Sequence, residues 1–351
     1  MPVDLDLSMV EGDYFRDLLN QPDALRDTSE RLTDSKDLRV LASRLRNRKF
    51  KSVVLTGMGS SFHGLNPLLL QLTNAGHSVI LTETSELVYY RQRLLNPNTL
   101  LIAVSQSGRS AELIRLLHDN RSRAPIITIT NTPDSPLARR STAVIFTHAG
   151  QEFSVSCKTY VCALLAIKFL GDYLCAIPTQ HTRKELATVL RPVTHYLARW
   201  KDHVSGIVPK LQGIRQMFLV GRGSSLAAVG TGALILKEST QFPTEGLSSA
   251  GFRHGPFEMV GPETFVLVFS GEARTRELNK RLLNDIRANG GCAEMVSQEQ
   301  ADCAYSLPKV PSSLLPVLEI LPVQMLTLAL AARNGRQPGK FRLASKVTTT
   351  E

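Results

Sequence analysis

Short apolar runs alternate along this chain with longer stretches whose apolar positions recur every three or four residues. Ser52–Gly57, Ser78–Thr82, Thr99–Ser105, Pro125–Thr130 and Ala143–Thr147 are bounded by Gly, Asn, Asp or Ser. Most are apolar throughout, which predicts strands covered on both faces. Between them Leu65–Asn74, Glu86–Leu95, Ser110–Asp119 and Pro136–Ser141 carry helical spacing. Strand and helix in alternation make a βαβ series, hence an α/β fold with a mainly parallel sheet.

The series then recurs. Val53-Val54-Leu55-Thr56-Gly57-Met58-Gly59-Ser60-Ser61 is matched by Phe218-Leu219-Val220-Gly221-Arg222-Gly223-Ser224-Ser225, and the two Gly-x-Gly-Ser-Ser turns lie 164 residues apart. Thr264–Ser270 corresponds to Thr99–Ser105, so the match extends past one turn. A long apolar helix, Thr159–Tyr173, and a polar connection around Pro178–Lys184 separate the halves. The pattern predicts an N-terminal helical segment (1–34), two repeats of one doubly wound domain (35–180 and 195–335), and a tail (336–351) without periodicity, to which the resemblance described below gives a part in the active site. The active site is expected near the repeat junction.

Length and composition agree with two globular cores: 351 residues, 43% apolar and 21% charged. The start, Met1-Pro2-Val3-Asp4-Leu5-Asp6, is acidic and lacks the features of a secretory signal. The most apolar stretch, Tyr160–Pro178, is interrupted by Lys168 and Asp172, which fits a buried helix and not a membrane span. Five cysteines without a CxxC pair predict thiols of a reducing, cytoplasmic compartment and no metal site. The net charge of +10 favours anionic ligands. Its densest run, Arg44–Lys51, follows the helical pattern Leu38, Leu41, Leu45, where cations suit the end of a helix dipole. Without interleaved aromatics or zinc-finger spacing, nucleic acid is not the expected partner.

Two loops carry candidate chemistry. A strand ending in Gly-x-Gly-Ser-Ser before a helix, here with Gly59, Ser60 and Ser61, aims backbone N–H groups and hydroxyls at whatever lies above the sheet. The turn lacks the third glycine of the dinucleotide fingerprint. The second loop is more specific: Ser105-Gln106-Ser107-Gly108-Arg109-Ser110 runs from a buried strand straight into a helix. Ser105, Ser107 and Ser110 offer donors, Gly108 allows the bend, and Arg109 is a cation where the dipole disfavours one. An anion at this point would reconcile these features. The corresponding stretch of the second half, Ser270-Gly271-Glu272, lacks Gln-Ser-Gly, so one phosphate pocket per chain is expected.

These residues resemble the tandem sugar-isomerase (SIS) domain family, as found in the isomerase half of glutamine–fructose-6-phosphate aminotransferase. The resemblance rests on Gly57–Ser61, Ser105–Gly108, Leu236-Lys237-Glu238, His254-Gly255-Pro256 and Lys346-Val347-Thr348, five motifs in order from about residue 35 to the end. It implies two flavodoxin-like α/β/α sandwiches, a phosphosugar substrate, no metal or other cofactor, and a homodimer with shared active sites. It further implies that Glu238 moves a proton between C1 and C2 and that His254 opens the sugar ring, roles that suit a carboxylate and an imidazole. Gln106 joins the serines as a phosphate ligand. Glu152, Ser156 and Glu245 fall in segments resembling the family's ligand-binding stretches. Lys346 would form an imine or contact substrate oxygens.

Departures narrow the reading. Thr231, Ile235 and Glu238 share one helix face, at positions where the aminotransferase carries Glu, Lys and Glu. The chain also starts without a glutaminase domain, so use of glutamine as ammonia source is not expected. The expected protein is a phosphosugar isomerase, deaminase or deglycase acting on a phosphorylated amino sugar or sugar–amine conjugate. The alternatives are a non-catalytic sugar-phosphate sensor and a plain aldose–ketose isomerase.

Overall fold

The structure, a computed structural model, describes residues 7–121, 123–299, 303–343 and 345–348. The chain divides into two compact units, each with one parallel sheet. One unit comprises Asp23–Glu152, Lys158–Ala187 and the tail from Leu343. The other comprises the chain up to Pro22, Phe153–Cys157 and Thr188–Arg342.

The first sheet holds β1 (Ser52–Gly57), β2 (Val79–Glu83), β3 (Thr99–Val104), β4 (Ile126–Thr130) and β5 (Ala143–Phe146) in the order β2-β1-β3-β4-β5, every pair parallel. This is the flavodoxin-like doubly wound order, whose strand direction of addition reverses between β1 and β3. β3 lies inside the sheet and is buried at all six positions, which is why it reads as an unbroken apolar run. The helix Ala111–Asn120 buries Leu113, Leu116 and Leu117 on one face, against Val54, Leu101 and Ala103 of the sheet.

The second sheet holds β6 (Gln216–Gly221), β7 (Thr244–Ser248), β8 (Thr264–Phe269) and β9 (Cys292–Val296) in the order β7-β6-β8-β9, again all parallel. It repeats the first four strands and, among the described residues, adds no fifth. Its core joins Phe218, Val220, Val266 and Val268 to Leu282, Leu283 and Ile286 of the helix Ala273–Ala288.

Three expectations need correction. The connection around Pro178–Lys184 is helical over Thr179–Ala187. Lys168 and Asp172, which interrupt the apolar stretch, account for its position. They are ion-paired, Asp172 buried and Lys168 half-buried, Lys168 also binds Glu185 at 2.9 Å, and Thr182 donates to Asp172 at 2.8 Å. The polar groups in the helix Lys158–Leu174 therefore hold the next helix in place. Glu86–Leu95 is a helix only over Thr84–Tyr90, followed by a tighter turn at Gln92–Leu94. The longest apolar helix is Leu315–Arg333, with Pro322 inside it. The segment Ser312–Arg333 is long and apolar enough to cross a membrane, yet its apolar window is wholly buried inside the protein.

Candidate functional site

In the first unit the Ser105–Ser110 loop leaves the carboxyl end of β3 beside the switch in strand order, the standard ligand position of open α/β sheets. Its shape is over-determined. The Ser105 hydroxyl accepts from the Gly108 amide at 3.0 Å, and that of Ser107 from the Arg109 amide at 3.3 Å. Gly108 has φ +61°, and a Cβ there would lie 2.4 Å from the Ser135 hydroxyl, so only glycine fits. The Gln106 carbonyl accepts from Thr130 Oγ1 (3.2 Å), Thr132 Oγ1 (3.1 Å) and the Asn131 amide (3.1 Å). Backbone and carbonyl are thus pinned while the Gln106 side chain, half-buried, is left without a hydrogen-bond partner among the described residues.

Ser110 occupies the cap position of the helix Ala111–Asn120 but makes no capping bond, and its hydroxyl is buried without a partner. A buried, unpaired hydroxyl costs on the order of 1–3 kcal/mol unless something else binds it. An oxyanion at the loop would supply that partner. Arg109 reaches sideways to the Asp134 carbonyl at 3.2 Å, which holds it at the loop. In the neighbouring turn Gly59 has φ +52°, and Ser60 and Ser61 lie half-buried in the first turn of the helix Gly59–His63.

The same unit brings together two candidates far apart in sequence. The Lys346 ammonium donates to Glu152 Oε2 at 2.9 Å, and Thr159 donates to that carboxylate through its amide (3.0 Å) and its hydroxyl (2.6 Å). Glu152 is 1% exposed and Lys346 25%, so the carboxylate is a buried anchor and the lysine keeps an open side. Two residues on, the Thr348 carbonyl accepts from the Ala111 amide at 3.2 Å, which seats the tail at the start of the helix that follows the Ser105–Ser110 loop. Thr159 and the Thr130-Asn131-Thr132 cluster were not singled out from the sequence. Their only signal there is a string of small polar residues at a strand end and a helix start.

In the second unit, Glu238 lies half-buried in the last turn of the helix Leu226–Thr240, and His254 is exposed where the short helix Ser249–Arg253 ends. The His254 ring makes no hydrogen bond among the described residues. Thr231 and Ile235, on the Glu238 face, are both fully buried, and the Thr231 hydroxyl lacks a partner. Glu245 is exposed on β7. Ser156 is half-buried and belongs with this unit, whereas Glu152, four residues earlier, belongs with the other.

At the switch point of the second sheet the chemistry is reversed. Ser224 donates to Glu272 Oε1 at 3.3 Å, and Ser225 to Glu319 Oε1 at 2.7 Å. Glu319 is wholly buried, and desolvation pushes its carboxyl up to about 8, against a partial lowering by the Ser225 bond. The hydroxyls of Ser60 and Ser61 in the first unit bond to no carboxyl group among the described residues, whereas their counterparts here are spent on two. An incoming phosphate would meet acids instead of free donors.

The SIS domain pattern matches residues 48–171 and 210–333 of this chain. The glutamine–fructose-6-phosphate aminotransferase of Pyrococcus horikoshii is 28% identical over 347 residues, covering 96% of this chain and 57% of the relative. The chain therefore spans little more than half the length of that curated relative. Among solved structures, the C-terminal domain of the Francisella tularensis glucosamine-fructose-6-phosphate aminotransferase superimposes with a TM-score of 0.80 at 20% identity, covering 92% of this chain and 97% of that one. The glucosamine-6-phosphate deaminase of Thermotoga maritima gives 0.78 at 18% identity, covering 97% and 100%. At these identities the likeness to the two structures concerns the fold.

Proposed function

This chain belongs to the SIS domain family, and from that premise we propose that it is an enzyme acting on a phosphorylated amino sugar or sugar–amine conjugate. Its fold is of the phosphosugar isomerase and deaminase type. The observation that carries the reading is the Ser105–Ser110 loop, where a rigid backbone presents a buried, unpartnered Ser110 hydroxyl at a helix start. Such a place suits a phosphate, whose oxygens accept from hydroxyls and from the positive end of the helix.

In this proposal Ser105 and Gly108 shape the loop, while Ser107, Ser110 and the Gln106 amide hold the phosphate. Gly59, Ser60 and Ser61 border the same subsite. His254 opens the ring, and Glu238 carries the proton between C1 and C2. Lys346, steered by Glu152, meets the sugar oxygens, and Ser156 contributes a hydroxyl. With Thr231 and Ile235 beside Glu238 in place of charged side chains, the site lacks charge for assembling an amine onto the sugar. Release of an amine after enolisation fits it better. We place the protein in the cytoplasm, in keeping with its five unbridged cysteines, and as a homodimer.

The test is a panel of phosphorylated amino sugars and sugar–amino acid conjugates, followed for both amine release and ketose formation. Turnover of at least one compound is expected, with Glu238→Gln lowering it about 10²- to 10⁴-fold and leaving affinity nearly unchanged. Tight binding without turnover in the unaltered protein would instead make it a sugar-phosphate sensor.

A further inference from the structure

At the opposite end of the first sheet lies a second basic feature that this reading does not use. A cavity of about 290 Å³ opens at the amino ends of β3 and β4, lined by Arg44, Arg123 and Arg140, with Leu117, Pro125 and Thr142 among its walls. β3 has six residues, which at about 3.3 Å each separates this cavity from the Ser105–Ser110 loop by roughly 17 Å of strand.

Helix dipoles explain part of it. Arg44 and Arg140 lie in the last turns of Lys36–Arg46 and Pro136–Arg140, where cations are favoured. That account does not cover Arg123, which lies outside any helix, nor the convergence of three like charges on one concavity. No acidic side chain lines the cavity, and none of the three guanidinium groups is paired with a carboxylate among the described residues. Arg44 is held by stacking on Phe50, with 4.5 Å from guanidinium to ring centre. By contrast Arg48, from the same basic run, is spent on the chain itself, donating to the Gly76 and Ala75 carbonyls.

The cavity is also preformed. Asn120 clamps the loop bearing Arg123 by donating to the Ala124 carbonyl at 2.9 Å and accepting from its amide at 3.0 Å. The Thr142 hydroxyl accepts from the Ile126 amide at 3.2 Å, which leaves its proton available to a ligand. We infer that this cavity is a second anion site, built for a small phosphate-bearing molecule. Guanidinium forks match phosphate oxygens in pairs, and a space at the small end of the ligand-pocket range admits a metabolite and not a polymer. The apolar wall of Leu117 and Pro125 would take the body of a phosphate monoester, and inorganic phosphate alone would use the arginines only.

Calorimetry in a fixed chloride background tests this, with inorganic phosphate and glucose 6-phosphate as separate probes. Ser107→Ala plus Ser110→Ala weakens the first loop tenfold or more, so a saturable equivalent per chain that keeps its affinity reports the second site. Adding Arg123→Gln and Arg140→Gln should weaken that equivalent about tenfold or more, and Arg140→Lys alone should fall in between. In an otherwise unaltered protein the two Arg→Gln changes should leave turnover at saturating substrate as it was. Tighter binding of the monoester than of inorganic phosphate identifies the former as the ligand class; equal binding assigns phosphate itself. Three results would each overturn the inference: no saturable equivalent that keeps its affinity once the first loop is weakened, an equivalent indifferent to the arginines, or binding confined to a long polyanion such as poly(U). Loss of the first-loop equivalent is read separately, so a failure there speaks against the phosphate loop and not against this cavity.

Discussion

Glu319 gives the sharpest energetic prediction. Its carboxyl is wholly buried, bonded among the described residues only to Ser225, and raised from the ordinary 4.5 to about 8. The folded protein therefore keeps a proton there that the unfolded chain releases above about pH 4.5. Between those values the native state binds one proton more, so stability falls as pH rises, by about 1.4 kcal/mol per unit. Below pH 4.5 the group costs nothing through ionisation. Above pH 8 the loss levels off at on the order of 5 kcal/mol, and at pH 7 it is about 3 kcal/mol. Glu319→Gln keeps the shape and the acceptor for Ser225, and removes the ionisation. The mutant should match the parent near pH 5 and exceed it increasingly up to pH 8. Urea midpoints followed by fluorescence suit the question, because the only tryptophan, Trp200, is buried in the same unit as Glu319. Parallel stability profiles for the two proteins between pH 5 and 9 would refute the reasoning.

Three further outcomes are expected. Ser107→Ala with Ser110→Ala should weaken phosphosugar binding by tenfold or more, since each charge-assisted bond is worth roughly 1.5–3 kcal/mol, and calorimetry showing unchanged affinity would remove the phosphate assignment. Gly108→Ala should cost at least about 1 kcal/mol for the left-handed backbone, and more for the Cβ set against Ser135, so an unshifted urea midpoint would contradict the loop geometry. If shared sites form across a homodimer, inactive Glu238→Gln and His254→Asn proteins allowed to exchange subunits should recover roughly a quarter of full activity, because half the dimers are mixed and each has one intact site. Exchange confirmed by differently tagged chains, without recovery, would put both residues to work within one chain.

The parts legible in the sequence are those fixed by local pattern. β1 coincides with its expected range, and β3, β4 and β8 differ from theirs by a single residue at one end, because strands buried along nearly their whole length hold apolar residues with only small Ser, Thr or Gly between them. β7 and β9 were not foreseen: each has one or more residues that are not buried, and Thr244-Glu245-Gly246 carries no apolar run. The helix Leu315–Arg333 was hidden by Pro316 and Pro322, which punctuate a mostly apolar stretch that also carries Glu319, Gln324 and Thr327. Of the candidate site, the Ser105–Ser110 loop could be singled out because it is built from contiguous residues. The Glu152–Lys346 pair spans 194 positions, and no periodicity reports a contact of that range. Thr159, which fixes Glu152, lies only seven residues from it, but no periodicity marks a turn that folds a helix start back onto a carboxylate.

The two repeats show how one architecture serves opposite electrostatic ends. Both place a Gly-x-Gly-Ser-Ser turn and a strand-ending serine at the switch in strand order, so the backbone framework is common to them. In the first, the second loop adds serines and an arginine, and a hydroxyl stays unpaired. In the second, Ser224 and Ser225 donate inward to Glu272 and Glu319, and Glu272 is itself paired with Arg274 at 3.1 Å. A hydroxyl whose proton is committed to a carboxyl group cannot also donate to a ligand. A dianion placed there would further face the charge of Glu272 and drive Glu319 towards protonation. The second turn is therefore a copy of the first whose hydroxyls are committed to the protein's own carboxyl groups. Two carboxyl groups take the hydroxyl protons that the first repeat is proposed to offer a ligand, and the stability cost carried by Glu319 at neutral pH is the measurable trace of that exchange.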